Sequence, residues 1–211
     1  MKTQSSLFPD HVPDKHFDYD GEFTSDDWES PDETARKIVS LFLSSDRTIL
    51  EPAAGTGQIA KFLPADSTAV EIQHGRYQIG RSKASSCAWY CADFLNAKYD
   101  FSRGGTRNEG FDLVVTNPPF SIGMQFVARS LSLLNPNYEH ARLLFLLPVD
   151  YFQAKGINQA FSALDCHIHR VYQFVGRIAY LESGVAKSGR MRNDCVFDIR
   201  PGKHQGGVIF L

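Results

Sequence analysis

The chain has 211 residues, 43% hydrophobic and 12% aromatic, with a net charge of −2. That content is globular, enough for one well-filled domain and too little for two large ones. It argues against a membrane span, because no run approaches the ~18 consecutive apolar residues one needs, and against a secretory signal, because Met1–Ser6 carries no apolar stretch.

Cys87, Cys91, Cys166 and Cys195 match neither zinc-ligand spacing nor a disulfide framework, and the seven histidines form no ligand cluster, so no metal site is expected. A reducing cytoplasm is the expected compartment. Charge is distributed unevenly. Residues 1–33 hold ten acids against Lys2 and Lys15, a balance of −8, which leaves +6 on residues 34–211. A positive surplus of this kind favours a polyanionic partner.

Residues 1–27 are acidic and poor in aliphatics and read as an irregular arm; residues 28–211 read as the domain proper. A helix is expected from Ser30-Pro31-Asp32-Glu33, with Ser30 as N-cap, Pro31 in the first helical position and Glu33 closing a capping box. Ala35, Ile38, Val39, Leu41 and Phe42 give that helix one apolar face. Strands and helices then alternate. Thr48–Glu51 precedes a glycine loop and a short helix around Ile59–Leu63, and Ser67–Ile72 precedes a helix near 75–83. Cys87–Cys91 precedes a loop, and Phe111–Thr116 precedes a helix at roughly 123–134. Ala141–Leu147 is the most apolar strand, with an interrupted helix up to about Leu164 after it.

The alternation predicts an α/β fold: a mostly parallel central sheet with helices on both faces, joined by right-handed crossovers. After residue 167 the pattern becomes short strands: Arg170–Val175, Ile178–Leu181, Cys195–Ile199 and Val208–Leu211. They predict a C-terminal antiparallel hairpin at the sheet edge. Ala97–Gly110 and Glu182–Asn193 read as long loops.

Two of the strand ends carry chemistry. Phe111–Thr116 runs into Asn117-Pro118-Pro119-Phe120, whose prolines stop the strand where open α/β sheets place ligands. An amide, a stiff backbone and an aromatic ring suit gripping an exocyclic amino group on a flat ring. Glu51-Pro52-Ala53-Ala-Gly55-Thr-Gly57 sits at a strand-to-helix turn, where glycines let backbone approach a ligand. Fourteen residues beyond Gly57 the next strand ends at Glu71-Ile72, which places a carboxylate for ribose hydroxyls. The loop is not G-x-G-x-x-G and no second nucleotide half follows, which argues against NAD.

Glu-Pro-x-x-Gly-x-Gly followed by Asn-Pro-Pro-Phe resembles motifs I and IV of class I amino-methyltransferases, particularly DNA N6-adenine enzymes, and Val175-Gly-Arg-Ile-Ala-Tyr-Leu181 followed by Met191-Arg-Asn-Asp-Cys-Val-Phe197 resembles the terminal hairpin of compact phage and prophage members. The resemblance implies a single-domain Rossmann-like fold and S-adenosyl-L-methionine as cofactor. It implies that Glu51, Pro52, Ala53, Gly55, Gly57, Glu71, Ile72 and Asn117 line the cofactor site. Asp93 matches the acid that accepts from the cofactor's adenine, and Phe94 would pack beside that ring. Trp28-Glu-Ser30-Pro31 resembles motif X, which closes the same pocket. Asn117 and Pro118 would hold the amino group, with Pro119 stiffening the turn and Phe120 stacking on the base.

The same resemblance implies a DNA substrate with its target adenine flipped out, since N6 inside a duplex is out of reach. Arg177, Lys187, Arg190 and Arg192, against Glu182 alone, give residues 177–192 a balance of +3 and a candidate backbone-contacting loop. RNA amino-methylation, protein glutamine methylation and cofactor binding without turnover remain open, and neither target sequence nor oligomeric state is legible.

Overall fold

The computed structural model describes residues 28–96, 98, 101, 110–182 and 184–203. The acidic arm, most of the Ala97–Gly110 loop and the expected strand Val208–Leu211 lie outside these. Five parallel strands form the frame: β1 (Ile49–Glu51), β2 (Thr68–Glu71), β3 (Ala88–Cys91), β4 (Leu113–Thr116) and β5 (Arg142–Pro148). Two longer strands, β6 (Cys166–Gln173) and β9 (Asp194–Pro201), pair antiparallel with each other, and β9 pairs antiparallel with β5. Among the described residues they make a seven-stranded sheet in the order β3-β2-β1-β4-β5-β9-β6. The helices are α1 (Asp32–Val39), α2 (His74–Lys83), α3 (Gly123–Leu131) and α4 (Lys155–Ser162).

Strand residues alternate between two cores. Leu50, Val70, Val114, Leu143 and Phe145 face one layer with Phe126, Val127 of α3 and Phe161 of α4. Ile49, Ala69, Leu113, Val115, Leu144 and Leu146 face the other with Ala35 and Ile38 of α1. Burial on both faces is why these strands read as continuous apolar runs. The fold is the expected mostly parallel α/β sheet with helices on both sides. The order in which strands are added reverses at β1, which has β2 on one side and β4 on the other. A crevice opens at the carboxyl ends of the two strands flanking such a switch point.

Four local expectations change. The capping box does not form: α1 is capped by Pro31 with no side-chain cap, and exposed Glu33 pairs with Lys37 at 2.7 Å. The helix after the glycine loop shrinks to one 3-10 turn, Ala60–Phe62. The third helix stops at Leu131, because Leu133 and Leu134 are needed in the core beside Phe111. The supposed loop Glu182–Asn193 is mostly strand: β8 (Val185–Arg192) pairs with β7 (Ile178–Glu182) as a separate two-stranded sheet. Glu182 pairs with Val185, and Gly184 takes φ +79° in the turn. The hairpin is therefore set apart from the main sheet.

Candidate active site

The crevice is built from the ends of β1, β2 and β4. After β1 the backbone turns through Gly55 (φ +54°) and Gly57 (φ +81°), a region that disfavours side chains. Gly57 also lies against α2, where an added Cβ would sit 3.1 Å from the Gly80 Cα. Glu71, at the end of β2, is buried, and its carboxylate accepts N–H bonds from Gly55 and Gln73, each 2.8 Å. This carboxylate thus fixes the glycine loop, and any ribose must share its oxygens through their second lone pairs.

Glu51 is 2% exposed, and its Oε2 has no partner among the described residues. Burial, reinforced by the Glu71 charge, holds its carboxyl well above the ordinary carboxylate range, opposed by a hydrogen bond from the Ala60 backbone. Pro52 is buried, Ala53 packs partly against the core and Ile72 is half-buried where β2 leaves the sheet. Asp93 is exposed beyond β3, and one of its oxygens accepts the Leu95 N–H at 2.9 Å. Phe94 is 2% exposed and packs against Phe126 and Phe101, with centroids 5.2 and 5.9 Å away, so its ring belongs chiefly to the core.

At the end of β4 the chain presents Asn117, buried Pro118, Pro119 and buried Phe120, which opens a 3-10 turn. The Tyr151 hydroxyl donates to the Phe120 carbonyl at 3.1 Å, fixing that turn. Gly123 makes this possible, since an added Cβ would lie 2.6 Å from the same hydroxyl. The Asn117 amide donates to the Trp28 carbonyl at 2.7 Å and to Ser30 Oγ at 3.3 Å. Both donors are thereby committed, and Asn117 Oδ1 is left buried with no partner among the described residues. An unpaired buried acceptor is costly, so this oxygen is poised for a donor that arrives.

Trp28, Glu29 and Ser30 form a strap across the crevice. Glu29 pairs in a β-bridge with Leu181, whose N–H donates to the Glu29 carbonyl at 2.9 Å. The buried Glu29 carboxylate accepts from Thr56 Oγ1 at 3.1 Å, from the Gly184 N–H at 3.1 Å and from Arg76 at 3.5 Å. Glycine loop, α2 and hairpin tip are thus fastened to one side chain. Sequence reasoning missed Glu29, although it lies inside the Trp-x-Ser-Pro segment it singled out.

The basic segment divides. Arg177 is exposed between β6 and β7, and the side chains of Lys187 and Arg190 lie outside the described residues. Arg192, the last residue of β8, turns inward over Phe120 and Trp28, with its guanidinium carbon 5.0 and 5.4 Å from their ring centroids. Among the described residues no group of three or more His, Cys, Asp or Glu is arranged to hold a metal ion. None of the described helices is long and apolar enough to cross a membrane.

No protein-family model and no curated protein sequence matches this chain. Solved structures do. A putative RNA methyltransferase from Pyrococcus horikoshii superposes with a TM-score of 0.62 at 12% identity, covering 84% of this chain and 87% of that one. A modification subunit of a putative type I restriction enzyme from Vibrio vulnificus gives 0.59 at 15% identity, over 83% of this chain and 45% of its own. A ribosomal protein L11 methylase from Lactobacillus delbrueckii subsp. bulgaricus gives 0.55 at 15% identity, over 80% and 77%. These likenesses establish a Rossmann-like methyltransferase fold, shared by proteins whose names point to different substrates.

Proposed function

We propose that this chain transfers a methyl group from S-adenosyl-L-methionine to the N6 amino group of adenine in DNA, the base being flipped into the crevice. The observation that carries the proposal is Asn117: Trp28 and Ser30 engage its amide nitrogen, which leaves its oxygen a buried acceptor without a partner among the described residues. In this reading residues 28–211 are the catalytic unit and the acidic residues 1–27 an arm outside it.

The cofactor half of the crevice fits the group. The glycine turn carries no side chain at Gly55 and Gly57, both at positive φ, and the orphaned Glu51 Oε2 lies buried just before that turn. Glu51, Pro52, Ala53, Gly55, Gly57, Glu71, Ile72 and Asp93 would hold the cofactor, with the Trp28–Pro31 strap above. When bound, it supplies an electrophilic methyl on a sulfonium.

Adenine N6 is a poor nucleophile because its lone pair is delocalised into the ring. Asn117 Oδ1 and the Pro118 carbonyl accept its two N–H bonds, which favours a pyramidal nitrogen and stabilises the positive charge developing there. The prolines hold these acceptors still, so much of the acceleration comes from orientation. A proton then leaves the methylated nitrogen for solvent, and no activated side-chain nucleophile is required. The basic segment Arg177–Arg192 contributes phosphate contacts to the polyanion.

The test is incubation with labelled S-adenosyl-L-methionine and separate DNA, RNA and protein pools, followed by nucleoside and amino-acid analysis. Label in N6-methyladenine from DNA is the expected result. Label confined to RNA, or to glutamine, overturns the DNA reading while keeping the amino-group chemistry.

A further inference from the structure

In the arrangement observed a side chain already lies over the Phe120 ring. The Arg192 guanidinium carbon is 5.0 Å from the Phe120 centroid and 5.4 Å from the Trp28 centroid, within cation–π range of both rings. Its Nε donates to Asp194 Oδ1 at 3.3 Å. Asp194 is buried at the start of β9, and its other oxygen accepts the Tyr180 hydroxyl at 2.7 Å. Tyr180 in turn meets the Trp28 ring edge-on at 5.4 Å. The guanidinium of Arg192 is therefore ion-paired along its Nε edge, while its flat face lies over the aromatic rings. Its side chain is 36% exposed, which leaves it a path outward.

We infer that Arg192 is the placeholder of the acceptor pocket: it covers the Phe120 and Trp28 rings until a planar acceptor group displaces it. The inference rests on the acceptor-pocket reading of Asn117. A guanidinium is planar and weakly hydrated, so it can lie on an aromatic face with little loss. The site it covers must become empty of charge before methyl transfer, because a fixed cation there would oppose the positive charge developing on the acceptor nitrogen. Displacement has a cost, since two ring contacts are given up and the ion pair with Asp194 must be kept or exchanged. A nucleotide within a strand can offset that cost by offering its phosphates to the released guanidinium, a charge-assisted and frequently bidentate pair. A nucleoside without phosphate cannot. Arg192 thereby acts as a specificity residue, making a base in a nucleic-acid strand a better acceptor than the same base alone.

This function separates the two chemical properties of the side chain. Arg192→Lys keeps a charge for phosphate but loses the flat stacking surface. Arg192→Met keeps apolar bulk without charge. Arg192→Ala opens the pocket altogether.

The experiment measures steady-state methylation of adenosine and of a single-stranded oligodeoxynucleotide, at several salt concentrations, for wild type and the three variants. In Arg192→Ala the KM for adenosine should fall roughly three- to tenfold, the ratio expected from removing one or two cation–π contacts. The KM for the oligonucleotide should rise, and its dependence on log salt should flatten by about one charge. Arg192→Met should share that flattened dependence. Arg192→Lys should keep the wild-type salt dependence while still gaining affinity for adenosine. The kcat for the oligonucleotide should change by less than about threefold throughout. A Trp89→Phe background leaves Trp28 as the single indole, so its emission reports whether Arg192 moves on oligonucleotide binding.

If the oligonucleotide is methylated normally but adenosine KM is unchanged or higher in Arg192→Ala, Arg192 is a wall of the pocket and the inference falls alone. Unaltered Trp28 emission on binding, with transfer intact, has the same meaning. If no form of the protein binds or methylates either acceptor, the adenine reading fails and the placeholder role falls with it.

Discussion

Asn117 and Trp28, 89 positions apart in sequence, are joined by a 2.7 Å hydrogen bond from the Asn117 amide to the Trp28 carbonyl. That bond fixes the orientation of the amide and leaves its oxygen the acceptor without a partner among the described residues. A side-chain amide alone rotates between a donor and an acceptor presentation; with its nitrogen engaged by Trp28 and Ser30, it presents only an acceptor. The proposed chemistry follows from this one constraint.

Removing the oxygen should remove turnover. Asn117→Ala is expected to lower kcat about 10²–10³-fold, the range for loss of one preorganised group that acts on transition-state charge. Affinity for S-adenosyl-L-methionine, read by calorimetry, should stay within about twofold because the amide does not serve the glycine loop. Ser30→Ala deletes only the 3.3 Å bond and should cost about tenfold or less. Wild-type single-turnover rates for Asn117→Ala would move the grip on the amino group elsewhere.

Glu51 gives a pH signature. Its raised carboxyl pKa, caused by burial and then by Glu71, means that the folded protein keeps a proton which the unfolded chain has already released. Where the native state binds more protons, stability falls as pH rises. The loss begins above the ordinary carboxyl range, continues to the raised value, and has a slope of up to about 1.4 kcal/mol per pH unit. Glu51→Gln removes this titration while keeping the shape. The melting temperature of the variant should therefore gain on wild type steadily as pH climbs from the ordinary carboxyl range towards the raised value. Parallel curves across that interval would mean that Glu51 is ionised in the fold.

Glu29 should couple the hairpin to the glycine loop. Glu29→Ala deletes the acceptors for Thr56, Arg76 and the Gly184 N–H but leaves the backbone bond from Leu181 to its carbonyl. Urea denaturation should register a loss of about 1–3 kcal/mol, the scale for stranding buried donors. Hydrogen exchange should accelerate more at Gly184 than at Leu181. Equal protection at both positions in variant and wild type would show that the hairpin is held by other contacts.

At the opposite end of the sheet, buried Asp46 and Arg142 form a two-pronged ion pair at 2.8 Å on each prong. Asp46→Ala leaves a guanidinium without its charge partner and should destabilise by about 3–5 kcal/mol. A double replacement by Leu and Met should recover much of that loss. Below its melting transition, Asp46→Ala should bind cofactor as wild type does, because Asp46 precedes β1 and the glycine loop follows it. A specific loss of cofactor affinity would contradict that separation.

By itself the sequence determined which segments became the five parallel strands and placed Gly-x-Gly and Asn-Pro-Pro-Phe at the ends of two of them. Residues 113–115 and 143–147 are buried on both faces, and that burial is written locally as unbroken apolar residues. Asn-Pro-Pro and Gly-x-Gly fix strand ends through φ restriction and φ freedom, which are also local properties. The tertiary structure decided everything that depends on which distant segments meet. Ser30 has the chemistry of an N-cap, yet its hydroxyl accepts from Asn117 across 87 positions. Residues 185–192 are polar and read as a loop, yet β7 supplies the ladder that makes them a strand. Arg192 has the charge of a phosphate contact, yet the end of β8 brings it over Phe120. Propensity and capping act within a few residues, whereas these partners are chosen by strand order and crossover.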